Sequence, residues 1–436
     1  MATRPPILWD VVEEHLEEAA FLWSQWERAL DSPTATPAQV AAGPEARLHA
    51  HLDALARLPF PLPPAMQPAA EEEDPGRFLA NATAAVEARE GGAAAALPLL
   101  RSEQPRARAA VGRALALARR PGLEAELPGL LGSELPGARA AVLGAMCARR
   151  QVGGARLREL FAGADPELQV AVLRAVPEAG KAHRDLVEGA YEAPSAPARD
   201  AALEAGLLLG LRSAHAAARR LAERKAPRLE VPLRVLAMAG EQEDVELLAG
   251  LAALPEHRGA ALRALGLSGW PRAVTACLPY LADPEEARRA GEAVALATGL
   301  RIEGIYRQDE PEGPEEPVPL ELDDLEADLV PPPEAELPLP EPELVARWWK
   351  KEAAGFAPGT RHLGGKPWSP EWLVEWLRTA PMRQRHPVAL ELAVRSRGAW
   401  RLDTRAWVGA QRRHLASHRL EARSGFDAPL ARLLEA

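Results

Sequence analysis

The stretches RARAAVGRALA at 106–116, GARAAVLGAMC at 137–147 and EARRAGEAVAL at 286–296 fall into one register. Four more segments join them at intervals of 29 to 31 residues: ELQVAVLRAVP from Glu167, PARDAALEAGL from Pro197, RLEVPLRVLAM from Arg228 and HRGAALRALGL from His257. One column of that register holds a small residue at Ala110, Ala141, Ala171, Ala201, Ala261 and Ala290, interrupted only by Pro232. An aliphatic residue usually follows, as at Val111, Val142, Val172, Leu233 and Leu262. A repeat this short cannot bury its own apolar face. It stabilises by stacking on identical neighbours, which predicts a right-handed α-solenoid of helical hairpins.

Composition agrees. The 436 residues are 47% apolar but only 5% aromatic, and alanine-rich helices approach one another closely. Valine and isoleucine nowhere alternate over a useful length, so the chain reads as all-α. The net charge of −10 argues against wholesale nucleic-acid binding. Cys147 and Cys277 stand far apart inside helical repeats, which fits a reducing compartment and small packing residues rather than a disulfide or metal framework. The opening MATRPPILWDVVEEHLEE turns acidic where a signal peptide needs an apolar core, and no run of apolar residues is long enough to span a membrane. A cytoplasmic protein without membrane insertion is expected.

Four regions follow from the register outward. Residues 1–60 carry Leu8, Val12, Leu16, Ala19, Leu22, Trp23, Trp26 and Leu30 at helical steps, then a Pro-containing turn and Leu48, Leu52, Leu55 and Leu58. This is an antiparallel hairpin suited to cap the array. Residues 77–306 form the array, after a Pro-rich spacer at 59–76. Its second helices are expected at 156–161, 183–191, 215–221, 244–251 and 272–281. Asp165-Pro166 and Asp283-Pro284 read as helix starts, with Asp as cap and Pro in the first turn. Arg108, Arg139, Arg199 and Arg288 share a column just inside those helices. Residues 308–343 hold fourteen acidic residues and ten prolines and no basic residue, which predicts an extended, disordered linker. Within it, residues 320–330 (LELDDLEADLV) suit a short acidic amphipathic turn. Residues 344–436 reverse the sign with seventeen Lys and Arg against eight Asp and Glu, and hold seven of the eleven tryptophans. Helices at 343–354, 369–379, 387–396 and 403–418 would make a small helical domain.

The motif DPEEARRAGEAVALATG, an Asp-Pro start followed by Arg and a small-apolar pair, resembles the short variety of HEAT repeat. The whole layout resembles a proteobacterial family of HEAT-repeat proteins of unassigned activity that often accompanies type VI secretion gene clusters. HLEEAAFLWSQWERALDSP at 15–33, AGEAVALATGL at 290–300, TRHLGGKPWSP at 360–370 and ALELAVRSRGAWRLDTRAWVGAQ at 389–411 carry that resemblance. It implies an accessory role beside a contractile secretion machine and no catalytic residues.

Residues with possible chemistry have plainer readings. His15 and Glu18 could hold a metal at i, i+3, but nothing completes a site; His49 and His51 point to different faces. His414 and His418 have the i, i+4 spacing of paired zinc ligands without a third ligand. Gly364-Gly365-Lys366 lacks the upstream Gly and following Ser or Thr of a phosphate loop, so a tight turn before a helix starting at Trp368-Ser369-Pro370 is expected. Trp368, Trp372 and Trp376 recur at i, i+4 and read as a core face. No catalytic residue, metal or cofactor is expected. The second helices are expected to line the concave side, where Arg156, Glu159, Arg219, Arg220, Glu246 and Arg272 would meet a protein partner. The resulting expectation is a non-enzymatic scaffold or adaptor with protein partners. Its alternatives are a nucleic-acid-associated protein using the basic C-terminal region, or a HEAT-like lyase with an acid–base pair in its groove.

Overall fold

The structure, a computed structural model, describes residues 7–58, 61–153, 156–309, 330–420, 426 and 428–435. It is all-α and solenoid-like. Each of the seven registered segments lies on a helix: Pro105–Leu117, Pro136–Ala148, Pro166–Ala179, Ala196–Leu208, Glu230–Ala239, Pro255–Ser268 and Ala287–Thr298. Each of these helices packs on the next. The small-residue column supplies the close approach: Ala110, Ala201, Ala261 and Ala290 are buried. Two helices extend this row at its start. Pro75–Glu87 packs on Pro105–Leu117, and Trp9–Leu30 packs on Pro75–Glu87. The N-terminal pair, Trp9–Leu30 with Ala46–Leu55, buries Leu16, Trp26, Leu30, Leu48, Leu52 and Leu55.

A second row of mostly shorter helices lies against the first: Leu123–Leu130, Leu157–Phe161, Arg184–Gly189, Arg212–Glu223, Gln242–Ala252 and Pro271–Cys277. Asp165 caps its helix as the sequence predicts, accepting from the Leu168 amide at 2.9 Å. Asp283 does not. Its carboxylate accepts from the Glu285 amide at 3.0 Å in a turn, and the helix begins at Ala287 with Glu286 as the flanking residue.

The largest departure from the sequence reading is residues 344–436. Their helices are Pro342–Glu352, Pro370–Thr379, Met382–Arg395 and Val408–Ser417, close to expectation. Two-residue strands, His362–Leu363 and Lys366–Pro367, flank the Gly364-Gly365 turn. These elements, however, are not set apart behind a linker. Their apolar side chains join the same continuous core as the array, from Val12 to Leu434. The described end of the acidic stretch is docked too. Glu334 meets Arg383 at 2.7 Å and Arg263 at 3.3 Å, and the amides of Gln308 and Glu341 bond Leu339 and Tyr306. The expected linker residues 310–329, with most of the amphipathic turn at 320–330, lie outside the described residues.

Physical chemistry explains why a basic segment settles there. The last carbonyls of an α-helix have no partner within the helix and carry its negative end. The first row presents several such ends along one edge, and the C-terminal segment caps them. Amides of His362, Gly364 and Gly365 donate to Gly269, Leu296 and Ala297 at 2.8, 2.6 and 3.1 Å. Trp407 Nε1 donates to the Leu117 carbonyl at 2.9 Å. Gly269 and Gly299 end two of these helices at φ +71° and +74°, where a side chain would strike the backbone of His362 or Gly364.

Candidate functional site

A buried charge cluster fastens the segment to the array. Glu391 receives Arg361 Nη1 at 2.7 Å and Arg395 Nε at 2.8 Å, and all three side chains are almost fully enclosed. Arg361 Nε also donates to the Ser268 carbonyl at 2.8 Å, and Arg395 Nη2 to that of Met238 at 3.2 Å. Trp368 lies against both guanidinium groups, 5.4 and 4.6 Å from its ring centre. Burial alone would raise the Glu391 pKa, but the two arginines outweigh it and hold the carboxyl below its usual range. Every charge here has a partner, so the cluster is structural.

Beside it a cavity of about 610 Å³ lies between the first-helix row and the helix Met382–Arg395. Leu208, Leu267 and Leu296, from the ends of three row helices, face Leu390 and Leu402 of the segment. Glu204, Arg234, Arg263 and Glu292 add one charged residue from each of four successive helices, at intervals of 29 or 30 residues. Asp31 closes the far side, so the row curves enough to bring its first and last helices to one cavity. His386 bonds Thr404 Oγ1 at 2.7 Å and the Leu30 carbonyl at 2.9 Å. Arg405 meets Asp31 at 2.6 Å. Burial raises the pKa of Asp31, yet the His386 hydrogen bond and the Arg405 charge together hold it below the ordinary value. Glu292 behaves oppositely. Its burial wins over the 2.5 Å pair with Arg383, and its pKa is raised.

The cavity wall therefore belongs to the first helices and the C-terminal segment, and none of the six residues singled out for protein contact lines it. The six residues singled out for protein contact all sit on or at the start of second-row helices. They form local pairs and not one site: Arg156 with Glu159 at 3.3 Å, Arg219 with Asp244 at 2.6 Å, Arg220 with Glu192 at 3.3 Å, and Arg272 with Glu246 at 3.8 Å. Most are well exposed, Glu246 at 80% and Arg156 at 79%. Sequence reasoning missed the inner charged column, although its 30-residue spacing inside otherwise apolar helices was a readable signal.

The other candidates resolve simply. His51 Nδ1 comes within 3.0 Å of His15 Nδ1, while Glu18 points to Arg47 at 3.9 Å. His49 lies apart from His51, with its ring 4.2 Å from that of Trp407. The His414 and His418 rings stack in parallel at 4.2 Å. Among the described residues no group of three or more His, Cys, Asp or Glu is arranged to hold a metal. Gly364-Gly365 makes the expected turn, and Lys366 lies over the Trp372 ring at 3.9 Å. Ser369 caps the next helix through the Trp372 amide. Trp372 and Trp376 on that helix are partly buried and meet edge to face, and Trp372 Nε1 donates to the Leu363 carbonyl at 2.7 Å. Burial pushes the Cys147 and Cys277 thiols up to about 12, which favours the protonated thiol at neutral pH. No described helix is long and apolar enough to cross a membrane.

No protein-family model matches the chain, and none of the curated proteins or solved structures compared with it matches either.

Proposed function

We propose that the chain is a non-enzymatic scaffold that binds another protein along its second-helix row. One observation carries this reading. The first-helix row is covered by the chain's own C-terminal segment, whereas the second row leaves a ladder of opposite charges open to solvent. Arg156, Glu159, Arg220, Glu246 and Arg272 in this ladder are more than half exposed. Such surface pairs add little to folding, so their cost to an incoming partner is small. A protein bearing the complementary order of charges can exchange them pair for pair. The resemblance to HEAT-repeat proteins found beside type VI secretion genes suggests that the partner belongs to, or works beside, such an assembly.

The alternatives draw less support. A nucleic-acid reading needs free basic groups on residues 344–436. Many of the arginines there instead serve the fold: Arg361, Arg385 and Arg395 are buried, and Arg378 and Arg383 are bonded to the Leu415 carbonyl and to carboxylates. A lyase reading needs an uncommitted acid–base pair, and Asp31, Glu204 and Glu292 each face an arginine.

A photo-crosslinking amino acid placed at Glu159, Glu246 or Leu390 of the full chain in native cells tests the proposal. A discrete protein adduct is expected from the two second-row positions and none from Leu390 inside the cavity. Adducts from none of the second-row positions, with the chain folded, would sink it.

A further inference from the structure

We propose that the cavity between the first-helix row and Met382–Arg395 binds a small organic anion with an apolar body, and that Arg263 holds its anionic group. This goes beyond the scaffold reading and does not depend on it.

The size fits: about 610 Å³ falls within the roughly 300–1,000 Å³ common for small-molecule pockets. The body of such a ligand would displace water from Leu208, Leu267, Leu296, Leu390 and Leu402, which is the favourable part of binding.

Its head is selected by how the arginines of the wall are paired. Arg234 has Glu204, Arg405 has Asp31, and Arg401 has Glu178 at 3.8 Å. Arg383 has both Glu292 at 2.5 Å and Glu334 at 2.7 Å. Arg263 has no carboxylate of its own. Its one side-chain hydrogen bond among the described residues is Nη1 to Glu334 Oε1 at 3.3 Å, and that oxygen already accepts from Arg383 and lies 3.7 Å from Arg289. The Nε and Nη2 groups of Arg263 have no hydrogen-bond partner among the described residues. The acids left over at the lining, Glu230 and Asp403, are exposed.

Burial lowers the pKa of Arg263, the charges of Glu334 and, more weakly, Glu292 oppose that, and the charges of Arg383 and Arg289 reinforce it. The Arg263 side chain is 39% exposed and its guanidinium stays protonated, so an incoming anion would take the place of water on its free N–H groups. A carboxylate, sulfonate or phosphate would accept two parallel N–H bonds from Arg263, the strong bidentate form.

The test uses the full chain and two fluorescent probes of similar body: anilinonaphthalene sulfonate, which is anionic, and phenylnaphthylamine, which is neutral. One sulfonate probe per chain is expected to bind saturably, and more tightly than the neutral one. Arg263→Gln should weaken the sulfonate by about tenfold or more, as loss of a charged hydrogen-bonding group implies, and leave the neutral probe unchanged. Leu390→Trp, which fills the cavity and keeps Arg263, should block both, and thermal melting verifies that each variant is folded. Equal binding of the two probes to wild type, equal sulfonate binding by Arg263→Gln, or full binding by Leu390→Trp would each overturn the proposal. So would the absence of saturable sulfonate binding.

Discussion

The repeat row and the C-terminal segment are both helical, yet different forces hold them. In the row, each helix buries small and aliphatic side chains on a neighbour about 30 residues away, and every rung repeats the arrangement. In the segment, side chains meet partners far along the chain through main-chain carbonyls and ion pairs, around a buried Arg–Glu–Arg cluster. Arg405, for example, bonds Asp31 in the first helical hairpin, and Arg361 caps the end of Pro255–Ser268. The row is therefore stabilised by shape and the segment by the satisfaction of polar groups. That difference predicts where each will fail.

The segment should be the more brittle. Glu391→Gln removes one charge from an enclosed triad and leaves two guanidinium groups facing each other. The expected loss is about 3–5 kcal/mol in urea denaturation at neutral pH, because a buried unpaired charge is costly. Replacing all three, with Arg361→Met, Glu391→Leu and Arg395→Leu together, should restore most of that stability. The pH dependence has a definite sign. The Glu391 pKa in the folded chain lies below its ordinary value of 4.5, so its stabilisation is complete above that value. Stability is lost as pH falls below 4.5 and through the folded value, and the Gln variant should lack that portion of the acid slope.

Gly299→Ala comes next. It forces a side chain into left-handed backbone, about 1–2 kcal/mol, and drives its Cβ to 2.6 Å from the Gly364 carbonyl oxygen. Gly210→Ala, at φ +79° with nothing within 4 Å, meets the backbone cost alone. The difference between their melting temperatures measures the docking of the hairpin turn.

Within the row, Asp165→Ala should cost about 1 kcal/mol by removing the cap on the Leu168 amide. Chemical denaturation monitored by circular dichroism checks this. A loss as large as that of Glu391→Gln would erase the distinction between the two regions. At the bottom of the scale, Arg272→Ala should change stability by no more than about 0.5 kcal/mol, since its pair with Glu246 is exposed at 3.8 Å.

The row was legible because side-chain size repeats in the sequence. Seven rungs followed from the alanine column. The eighth, Pro75–Glu87, escaped because Asn81 follows Ala80 where the register has an aliphatic residue. Caps at Asp165 and Ser369 were equally readable, because their side chains do the bonding. The docking of residues 344–436 was not legible. Its acceptors are main-chain carbonyls, which every residue carries, so an arginine bound for one looks like an arginine bound for solvent. His15 found His51 across a turn for the same reason: pairing between two helices depends on their rotation, which local spacing does not specify. The charged column through Glu204, Arg234, Arg263 and Glu292 stood in plain view. Its meaning depended on knowing which helix face turns inward.

By itself the amino-acid sequence determined an all-helical chain with a stacked row, an acidic stretch and a basic, tryptophan-rich end, because periodicity, propensity and charge are local properties. Only the tertiary structure decided that the basic end closes over the row, which row lines the cavity, and which arginine of its wall shares a carboxylate with others. Those outcomes depend on where helix ends converge in space, and no spacing along the chain encodes that.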